Sequence, residues 1–340
     1  MNYAPTSAAN TAPEPQSALE QKRSSIVGLL AIAGAMEALY LVLLRLNDLK
    51  EHVAGFILLV LLQGILYFVS VYLGEKISPA RSHLVILFVA AALFRATLFP
   101  LYPSLSDDLV RYRWEGKAQQ AGYNPYRVRP ADPQLAPLRD ETYPAVVGPQ
   151  YSTIYGPLME AYLWLSYALF HKVVAMKLPF LLLDLGVILA LFRLLPALGL
   201  SPMRAIIYAW SPLTVVEFSA SGHNDPLPVL GMVLALLFYR QRRQRLSLGA
   251  IAASALSKVF AGFLVPVFLA RTSWRLLWIP VLLAVVAFAP YGGALRHLIG
   301  GLSEYGEHWR NNASLYHLID RKSTRLNSSH IQKSRMPSSA

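Results

Sequence analysis

The sequence has no cysteine and few charged residues for its length. With a cysteine count of 0, disulfides between loops and thiol-based catalysis are both excluded. Charged residues make up 15% of the 340, whereas a soluble chain carries nearer a quarter. A nucleotide-sugar Rossmann motif is also missing. These absences argue against a soluble enzyme that uses a nucleotide-activated substrate.

Long apolar blocks dominate what is present, since hydrophobic residues make up 55% of the chain. A helix of about 20 apolar residues crosses a hydrocarbon core of about 30 Å, and only helices or closed barrels cross it. The helix-length blocks therefore predict an all-α, polytopic membrane helical bundle. They are Ser25–Arg45, Val53–Leu73, Leu84–Leu101, Leu178–Leu195, Ala205–Phe218, Leu227–Tyr239, Leu246–Ala270 (broken near Lys258) and Leu276–Tyr291, with a shorter block at Leu158–Phe170.

The formal net charge of +12 does not indicate nucleic-acid binding. Most Lys and Arg outside the last 21 residues lie in short loops beside apolar blocks, where they act as orientation signals. The partner that this pattern predicts is a membrane.

Three regions are expected along the chain. Residues 1–24 are rich in Ala, Pro, Ser and Thr and predict a disordered cytoplasmic tail, and residues 25–319 form the transmembrane domain. Residues 320–340 switch abruptly to Ser, Arg and Lys and resemble read-through of a sequencing adaptor. We therefore expect a non-native tail and a C-terminally truncated bundle.

Basic residues in short loops also predict the orientation of the chain. Lys22 and Arg23 place the N-terminus inside, and the cluster at 240–245 is placed inside as well. This assignment requires Leu158–Phe170 to be a half-embedded helix. The polar loop 102–177, the island at 221–225, Lys258 and the segment 296–312 then all face outward.

A helix is predicted from Ser106 to Glu115, with Ser106 as its N-cap. Asp108, Arg111, Tyr112 and Glu115 share one face of it. A pair of carboxylates, Asp107 and Asp108, just after a membrane span suits a general base that deprotonates a hydroxyl. The alternative is structural: a helix cap with ion pairs such as Asp107 with Arg111.

Further polar residues interrupt the apolar blocks. His223, Asn224 and Asp225 join two blocks and suit a sugar hydroxyl, a metal ion or a helix cap. Lys177 and Asp184 lie seven residues apart and could pair with each other.

Lys258 lies within an apolar stretch, where an ionisable residue indicates function and a phosphate is its natural partner. Snorkelling to the surface is the alternative. The segment 304–315 mixes aromatic and amide groups, as carbohydrate sites and aromatic belts both do.

Taken in order, these segments resemble the GT-C superfamily of membrane glycosyltransferases, and most closely the GT87-type polyprenol-phosphate-mannose-dependent mannosyltransferases. The resemblance rests on the sequences SDDLVRYRWEGKAQQAGYNPY (106–126), ADPQLAPLRDE (131–141), TIYGPL (153–158), KLPFLLLDL (177–185), WSPLTVVEFSASGHNDPL (210–227), LSKVFAGFLVP (256–266) and EHWRNNASL (307–315). Where relatives often have Tyr-Pro-Pro, this chain has Tyr155-Gly156-Pro157.

The resemblance implies an inverting transfer of a hexose, which is mannose in relatives of this kind, from a polyprenyl-phosphate sugar to a lipid or glycan acceptor. The reaction is expected on the outer face of a bacterial plasma membrane. Asp107 and Asp108 map onto the catalytic acidic pair. We favour Asp107 as the base, because Asp108 shares its helical face with Arg111 and Glu115.

The residues and the resemblance together give the expected substrate contacts. These are Arg111, Tyr112, Glu115, Asn124, Lys177, His223, Asn224, Asp225, Lys258, His308, Trp309 and Asn312. No metal site and no required cofactor are expected, although a divalent cation remains compatible with a phosphate donor. The alternative functions are a multi-pass transporter or flippase and a non-catalytic membrane subunit.

The predicted orientation can be tested by labelling single cysteines, since the chain has none of its own. We expect Asp107→Cys and His223→Cys to react with an impermeant maleimide added outside intact cells. Arg243→Cys should react only after permeabilisation. Labelling of position 243 but not of position 223 in intact cells would show that 158–170 crosses the membrane.

Overall fold

The computed structural model describes residues 16–292 and 294–308. Every regular element in these ranges is helical, which confirms the predicted all-α bundle. The α-helices are α1 (Gln16–Leu46), α2 (Val53–Lys76), α3 (Arg81–Leu98), α4 (Asp108–Gln120), α5 (Pro157–Leu169), α6 (Lys177–Ala197), α7 (Ile206–Ala209), α8 (Pro212–Val215), α9 (Pro226–Arg240), α10 (Gln244–Ser257), α11 (Val265–Arg271), α12 (Trp278–Phe288) and α13 (Ala294–His308). A π-helix lies at Val216–Ala220, and short 3₁₀ turns connect several of the α-helices.

Five helical segments of the described chain are long and apolar enough to cross a membrane. They are Glu20–Leu46, Val53–Lys76, Arg81–Leu98, Val174–Ala197 and Trp274–Tyr291. Large apolar side chains on them face outward, as with Phe68, which is 71% exposed. Such exposure is unfavourable in water but suits contact with lipid. The chain is a multi-pass membrane protein.

Helix α1 begins at Gln16, so residues 16–24 are helical rather than part of a disordered tail. This stretch follows Pro15 and contains no further proline or glycine, and its Ala, Leu, Glu, Gln and Lys residues favour a helix. The rest of the predicted N-terminal tail and the predicted non-native tail at 320–340 lie outside the described residues.

The predicted span Ala205–Phe218 is wrong as a continuous helix. The chain there forms α7, α8 and the π-helix in succession, with breaks at Trp210 and Ser211. Pro212 cannot donate a backbone hydrogen bond, which interrupts the helix. The side chain of Thr214 donates to the carbonyls of Tyr208 and Ser211. Side-chain donors of this kind make a broken helix tolerable within a bundle.

Two clusters of buried side chains form most of the core around the start of α4. Helices α1, α2 and α3 pack with the broken segment around Trp210 and Phe94. Helix α4 packs on α5, with Leu109 and Leu163 in their shared core. Helices α9 and α10 pack against each other, and α9 also lies against α6. The loop that contains α4 and α5 is therefore fixed on the bundle by its own core.

A buried ion pair joins α3 to α6. The Arg95 guanidinium donates to the Asp184 carboxylate, and both side chains are fully buried. Arg95 also donates to the carbonyl of Ala209 at 2.8 Å, and Tyr208 donates to Asp184 at 2.6 Å. The Arg95 guanidinium thus gives a hydrogen bond to a backbone carbonyl at the end of α7, where the helix is broken. Asp184 does not pair with Lys177, contrary to the prediction.

Removing one member of this pair should strongly destabilise the bundle. Arg95→Met leaves the Asp184 carboxylate buried without its partner, which costs about 3–5 kcal/mol. The double variant Arg95→Met/Asp184→Leu removes both charges and should cost less than the sum of the two single changes. The measurement is the free energy of unfolding in mixed micelles. Leu93→Ala, a lipid-facing change on the same helix, is the control, and additive single-variant effects would contradict the coupling.

Candidate active site

Two adjoining cavities lie at the start of α4. The first, of about 450 Å³, is lined by Asp107, Asp108 and the loop from Val147 to Tyr155. The second, of about 380 Å³, is lined by Asp225, Lys258 and Phe260. The two share four lining residues, which are Asp108, Ile154, Tyr155 and His223. The predicted acidic pair, the 221–225 island and Lys258 therefore meet at one place.

Helix α4 begins one residue later than predicted. Its first residue is Asp108 and its N-cap position is Asp107. The Ser106 hydroxyl accepts from the Asp108 backbone N–H at 3.2 Å, so Ser106 supports the turn before the helix rather than capping it. Asp107 Oδ2 lies 3.6 Å from Lys50 Nζ, and both side chains are about half exposed. The alternative pair of Asp107 with Arg111 does not form.

Arg111 lines the first cavity and also holds the wall of that cavity in place, and its contact with substrate stays a prediction. Its guanidinium donates to Glu115 at 2.6 Å and to the carbonyls of Val147, Gly148 and Tyr151 at 2.8–3.1 Å. These contacts use the donor positions of the guanidinium, and they fix the loop that walls the first cavity. Because Arg111 pairs with Glu115, Asp108 is not held by this ion pair.

Glu115 is not among the residues that line either cavity, so the geometry gives no support to its predicted contact with substrate. It is buried together with Glu160, which accepts from the Thr153 hydroxyl and from Gln119. Burial raises the pKa of Glu160 well above its usual range, and the neighbouring Glu115 carboxylate adds to this effect. Burial raises the pKa of Glu115 as well, against the lowering effect of Arg111, and the two buried carboxyl groups form a support behind the first cavity.

Lys177 holds the backbone of the site together and does not contact the cavities. Its buried ammonium donates to the carbonyls of Leu101, Ser219 and Ala220 at 2.7–3.3 Å. An ammonium has three donors, and all three are used. The π-helix and the loop before α4 take its hydrogen bonds, so this geometry gives no support to the predicted substrate contact of Lys177.

His223 enters the cavities through a turn that requires glycine. Gly222 has a φ of +77°, and a Cβ at this position would lie 2.7 Å from Lys177 Cγ. Past this turn, His223 Nδ1 lies 2.5 Å from Glu217 Oε2, and Nε2 lies 3.5 Å from Asp108 Oδ2. The imidazole thus bridges two carboxylates. Burial lowers the pKa of His223, but Asp108 and Glu217 outweigh it and raise that pKa to about 9, so the ring is cationic at neutral pH.

Asp225 and Lys258 form the other side of the second cavity. Lys258 Nζ donates to Asp225 Oδ1 at 2.6 Å. Asp225 occupies the N-cap position of α9, but its carboxylate makes no capping hydrogen bond. Of the alternatives for this segment, the helix cap does not form, because the Asp225 carboxylate pairs with Lys258 instead. Lys258 follows the end of α10, where the predicted break in the apolar stretch is confirmed.

Gly156 explains how α5 and α10 come together at the site. Its N–H donates to the Ser257 carbonyl at 3.1 Å. A Cβ on Gly156 would lie 2.1 Å from the Leu256 carbonyl oxygen, so any side chain would be excluded. This close approach places Tyr155 and Lys258 on the same cavity.

With this geometry in place, the chain can be compared with known proteins. Residues 24–273, which are 250 of the 340, match the family model described as "Alpha-(1->6)-mannopyranosyltransferase, N-terminal domain". The chain belongs to this family. It is an enzyme, a mannosyltransferase of the GT-C type, which confirms the predicted resemblance. No curated protein and no solved structure shows significant similarity to the chain.

The other residues of this mannosyltransferase that were predicted to contact substrate differ in where they lie relative to the two cavities. Tyr112 is buried but lines the second cavity. Asn124 stabilises a loop instead, because its amide donates to the Tyr291 carbonyl at 2.6 Å. Asn224 is fully buried, and neither of its amide atoms has a partner among the described residues. His308 ends α13, while Trp309 and Asn312 lie outside the described residues.

Sequence reasoning missed Glu217, although a signal for it is present. Glu217 is an acid within an apolar block, which by itself indicates function in a membrane protein. It lies on the π-helix, an element that is frequent at functional sites. Within the described ranges, no cluster of three or more His, Asp or Glu side chains is placed to hold a metal ion, and we assign no metal site.

The charge on His223 should make stability depend on pH. Its pKa is raised in the folded state, so the stabilisation is fully present below about pH 6.5 and is lost as pH rises through about 9. We expect wild type to exceed His223→Gln in unfolding free energy at pH 6, by no more than about 3 kcal/mol, and the difference to vanish above pH 9. His171→Gln, an exposed site, is the control. A difference that is independent of pH would contradict the charged bridge.

Proposed function

We propose that the protein transfers mannose from a polyprenyl-phosphate donor to a hydroxyl group of a lipid or glycan acceptor, with inversion at the anomeric carbon. We propose the outer face of a bacterial plasma membrane as the place of the reaction. The family description favours an α(1→6) linkage. The observation that carries the proposal is the position of Asp108, which lines both cavities between Asp107 on one side and Lys258 on the other.

The second cavity suits the lipid-phosphate donor. Val259, Phe260 and Leu302 form apolar parts of its lining, and Val259 and Phe260 are themselves 44% and 49% exposed. Lys258 and the charged His223 line the same cavity. An apolar wall beside two cations matches a phosphate attached to a hydrocarbon chain.

These cations also suit the chemistry of a phosphate leaving group. When the bond between the anomeric carbon and the phosphate oxygen breaks, negative charge develops on the phosphate, and fixed cations lower that barrier. Lys258 already has a carboxylate partner in Asp225. A phosphate that binds Lys258 therefore either displaces Asp225 or shares Lys258 with it.

The first cavity suits the acceptor, and Asp108 is the proposed base. In the proposed step, the acceptor hydroxyl gives its proton to Asp108, its oxygen forms the bond to the anomeric carbon, and polyprenyl phosphate leaves with the bonding electrons. Asp108 is favoured over Asp107 as the base, because Arg111 pairs with Glu115 and leaves Asp108 out of that ion pair. Asp107 lines only the first cavity.

Glu217 has a positioning role in this scheme. Its carboxylate holds His223, and His223 in turn lies beside Asp108. No cofactor is required, since the base and the cations are side chains. A divalent cation at the donor phosphate would be detected as loss of activity on chelation.

The two carboxylates should differ in their contribution to the rate. Asp108→Asn keeps the shape of the side chain but removes the base, and it should lower kcat by about 100-fold or more. Asp107→Asn should have a smaller effect. The assay follows transfer of labelled mannose from polyprenyl-phosphate mannose to an alkyl mannoside in membranes with matched expression.

Asp48→Asn serves as the matched control, because Asp48 lies outside both cavities and only caps a local turn. A large loss in Asp107→Asn with near-normal turnover in Asp108→Asn would reverse the assignment of the base. Near-normal turnover in both variants would overturn the catalytic role of this loop.

A further inference from the structure

A separate cavity lies at the other end of α3 from the candidate active site. It has a volume of about 340 Å³, and its lining comes from the start of α1, the end of α2 and the turn that leads into α3. Helix α3 has 18 residues and is apolar enough to cross a membrane, so its two ends are about 27 Å apart. The acidic pair Asp107 and Asp108 follows the opposite end. This cavity, which we call the basic cavity, therefore lies beside the other leaflet.

Two lysines give the basic cavity its charge. Lys22 lies on α1 and Lys76 ends α2, and no Asp or Glu of the described chain lines the cavity with them. Neither ammonium forms an ion pair with a described residue. Glu75, the acid next to Lys76 in the sequence, lies 3.4 Å from the Arg204 guanidinium instead. Two cations without a protein carboxylate therefore share one small cavity.

Tyr72 holds the Lys76 ammonium in place without neutralising it. Lys76 Nζ donates to the Tyr72 hydroxyl and lies 4.0 Å from the centroid of the Tyr72 ring. A contact of this kind with an aromatic ring orients a cation but leaves its charge uncompensated. An ammonium has three donors, and two of them remain available to a ligand.

A chain of hydrogen bonds through His83 fixes the walls of the basic cavity. His83 is buried, and its Nδ1 accepts from the Ala80 backbone N–H at 3.3 Å. The ring proton is then on Nε2, which donates to the Ser25 hydroxyl at 3.0 Å. Ser25 donates in turn to the Lys22 carbonyl at 2.8 Å. The start of α1 is thus joined to the first turn of α3, and the backbone that carries Lys22 has a fixed position.

The first turn of α3 adds to the attraction for an anion. Ala80 occupies the N-cap position and His83 lies three residues later, and both line the cavity. The partial positive charge at a helix N-terminus favours a negatively charged group. Together with the two ammonium groups, this arrangement suits a phosphate, which lysine binds as a compact point charge.

An apolar path leads from the basic cavity into the membrane. Tyr72 and Phe68 lie four and eight residues before Lys76, on the same face of α2, and they are 60% and 71% exposed. On α1, a Cβ built on Gly28 meets no atom within 4 Å, which leaves open space one turn beyond Ser25. Phe68 is about 12 Å deeper along the helix than Lys76. A ligand with a phosphate at the lysines therefore has room for hydrocarbon chains beside it.

We infer that the basic cavity binds the phosphate headgroup of an anionic bilayer lipid. The phosphate lies between Lys22 and Lys76, and the acyl chains follow Tyr72 and Phe68. The lipid belongs to the leaflet opposite to the candidate active site. The inference does not depend on the proposed function, because none of these residues lines either cavity at the start of α4.

The test measures lipid binding to the full chain in neutral maltoside micelles, with bound lipid counted by native mass spectrometry. Phosphatidylglycerol should bind wild type more tightly than zwitterionic phosphatidylcholine does. Lys22→Gln/Lys76→Gln removes both charge-assisted contacts and should raise the Kd for phosphatidylglycerol about 10-fold or more. Ser78→Trp, at an exposed residue of the cavity lining, fills the cavity without changing its charge and should weaken binding as well.

Arg271→Gln/Arg275→Gln is the matched control, because it removes two exposed basic residues outside the cavity. It should leave the Kd for phosphatidylglycerol unchanged. Equal Kd values for the two lipids, or an equal loss in both double variants, would overturn the inference in favour of general surface charge. Unchanged binding in Ser78→Trp would show that the headgroup does not enter the cavity, and this variant decides the matter if the lysine variant fails to fold.

A soluble phosphate compound is the other possible source of the anion. Inorganic phosphate and glycerol 1-phosphate are therefore added as competitors, since they carry the phosphate without the acyl chains. If either one displaces phosphatidylglycerol at concentrations near the Kd of the lipid, the site belongs to a soluble ligand and the lipid is overturned. Failure of both to compete at such concentrations supports the lipid.

Discussion

The hydrogen bonds of Lys177 are the contacts on which the site depends. A buried ammonium is unfavourable unless each of its donors is satisfied, and here three backbone carbonyls supply the acceptors. Those carbonyls belong to the segment before α4 and to the π-helix. The acidic pair follows the first and Glu217 lies on the second, so one side chain fixes the relative position of both parts. The stem of Lys177 also sets the space at Gly222, which leaves room there for glycine only.

Much of the bundle could be predicted from the sequence. Apolar blocks of helix length gave the long helices, because hydrophobic length is a local property of the chain. The block Ala205–Phe218 failed, since Pro212 and a π-helix divide it. Composition does not reveal that Arg95 and Thr214 supply hydrogen bonds to a broken backbone.

The site was predictable in its location but not in its pairings. Spacing along a helix placed Asp108 near Arg111, yet Arg111 bonds to Glu115 and to a loop nearly 40 residues away. Lys177 and Asp184 share a helix, and each takes its partners from other segments. Long-range partners of this kind depend on packing, which spacing within one helix does not encode. The family match nevertheless confirms that these segments belong to a mannosyltransferase.

The contact at Gly156 has a mechanical consequence for how the proposed lipid donor would enter. The start of α5 and the end of α10 are joined there by a backbone hydrogen bond, with no space for even a methyl group. This wall of the second cavity is stiff, since separating it would break that bond and expose a tightly packed seam. The hydrocarbon chain of the proposed polyprenyl-phosphate donor would therefore have to pass the exposed apolar side chains of Val259 and Phe260, which line the same cavity. The contact at Gly156 thus holds one side of the cavity fixed, and the exposed side chain of Phe260 lies on its accessible edge.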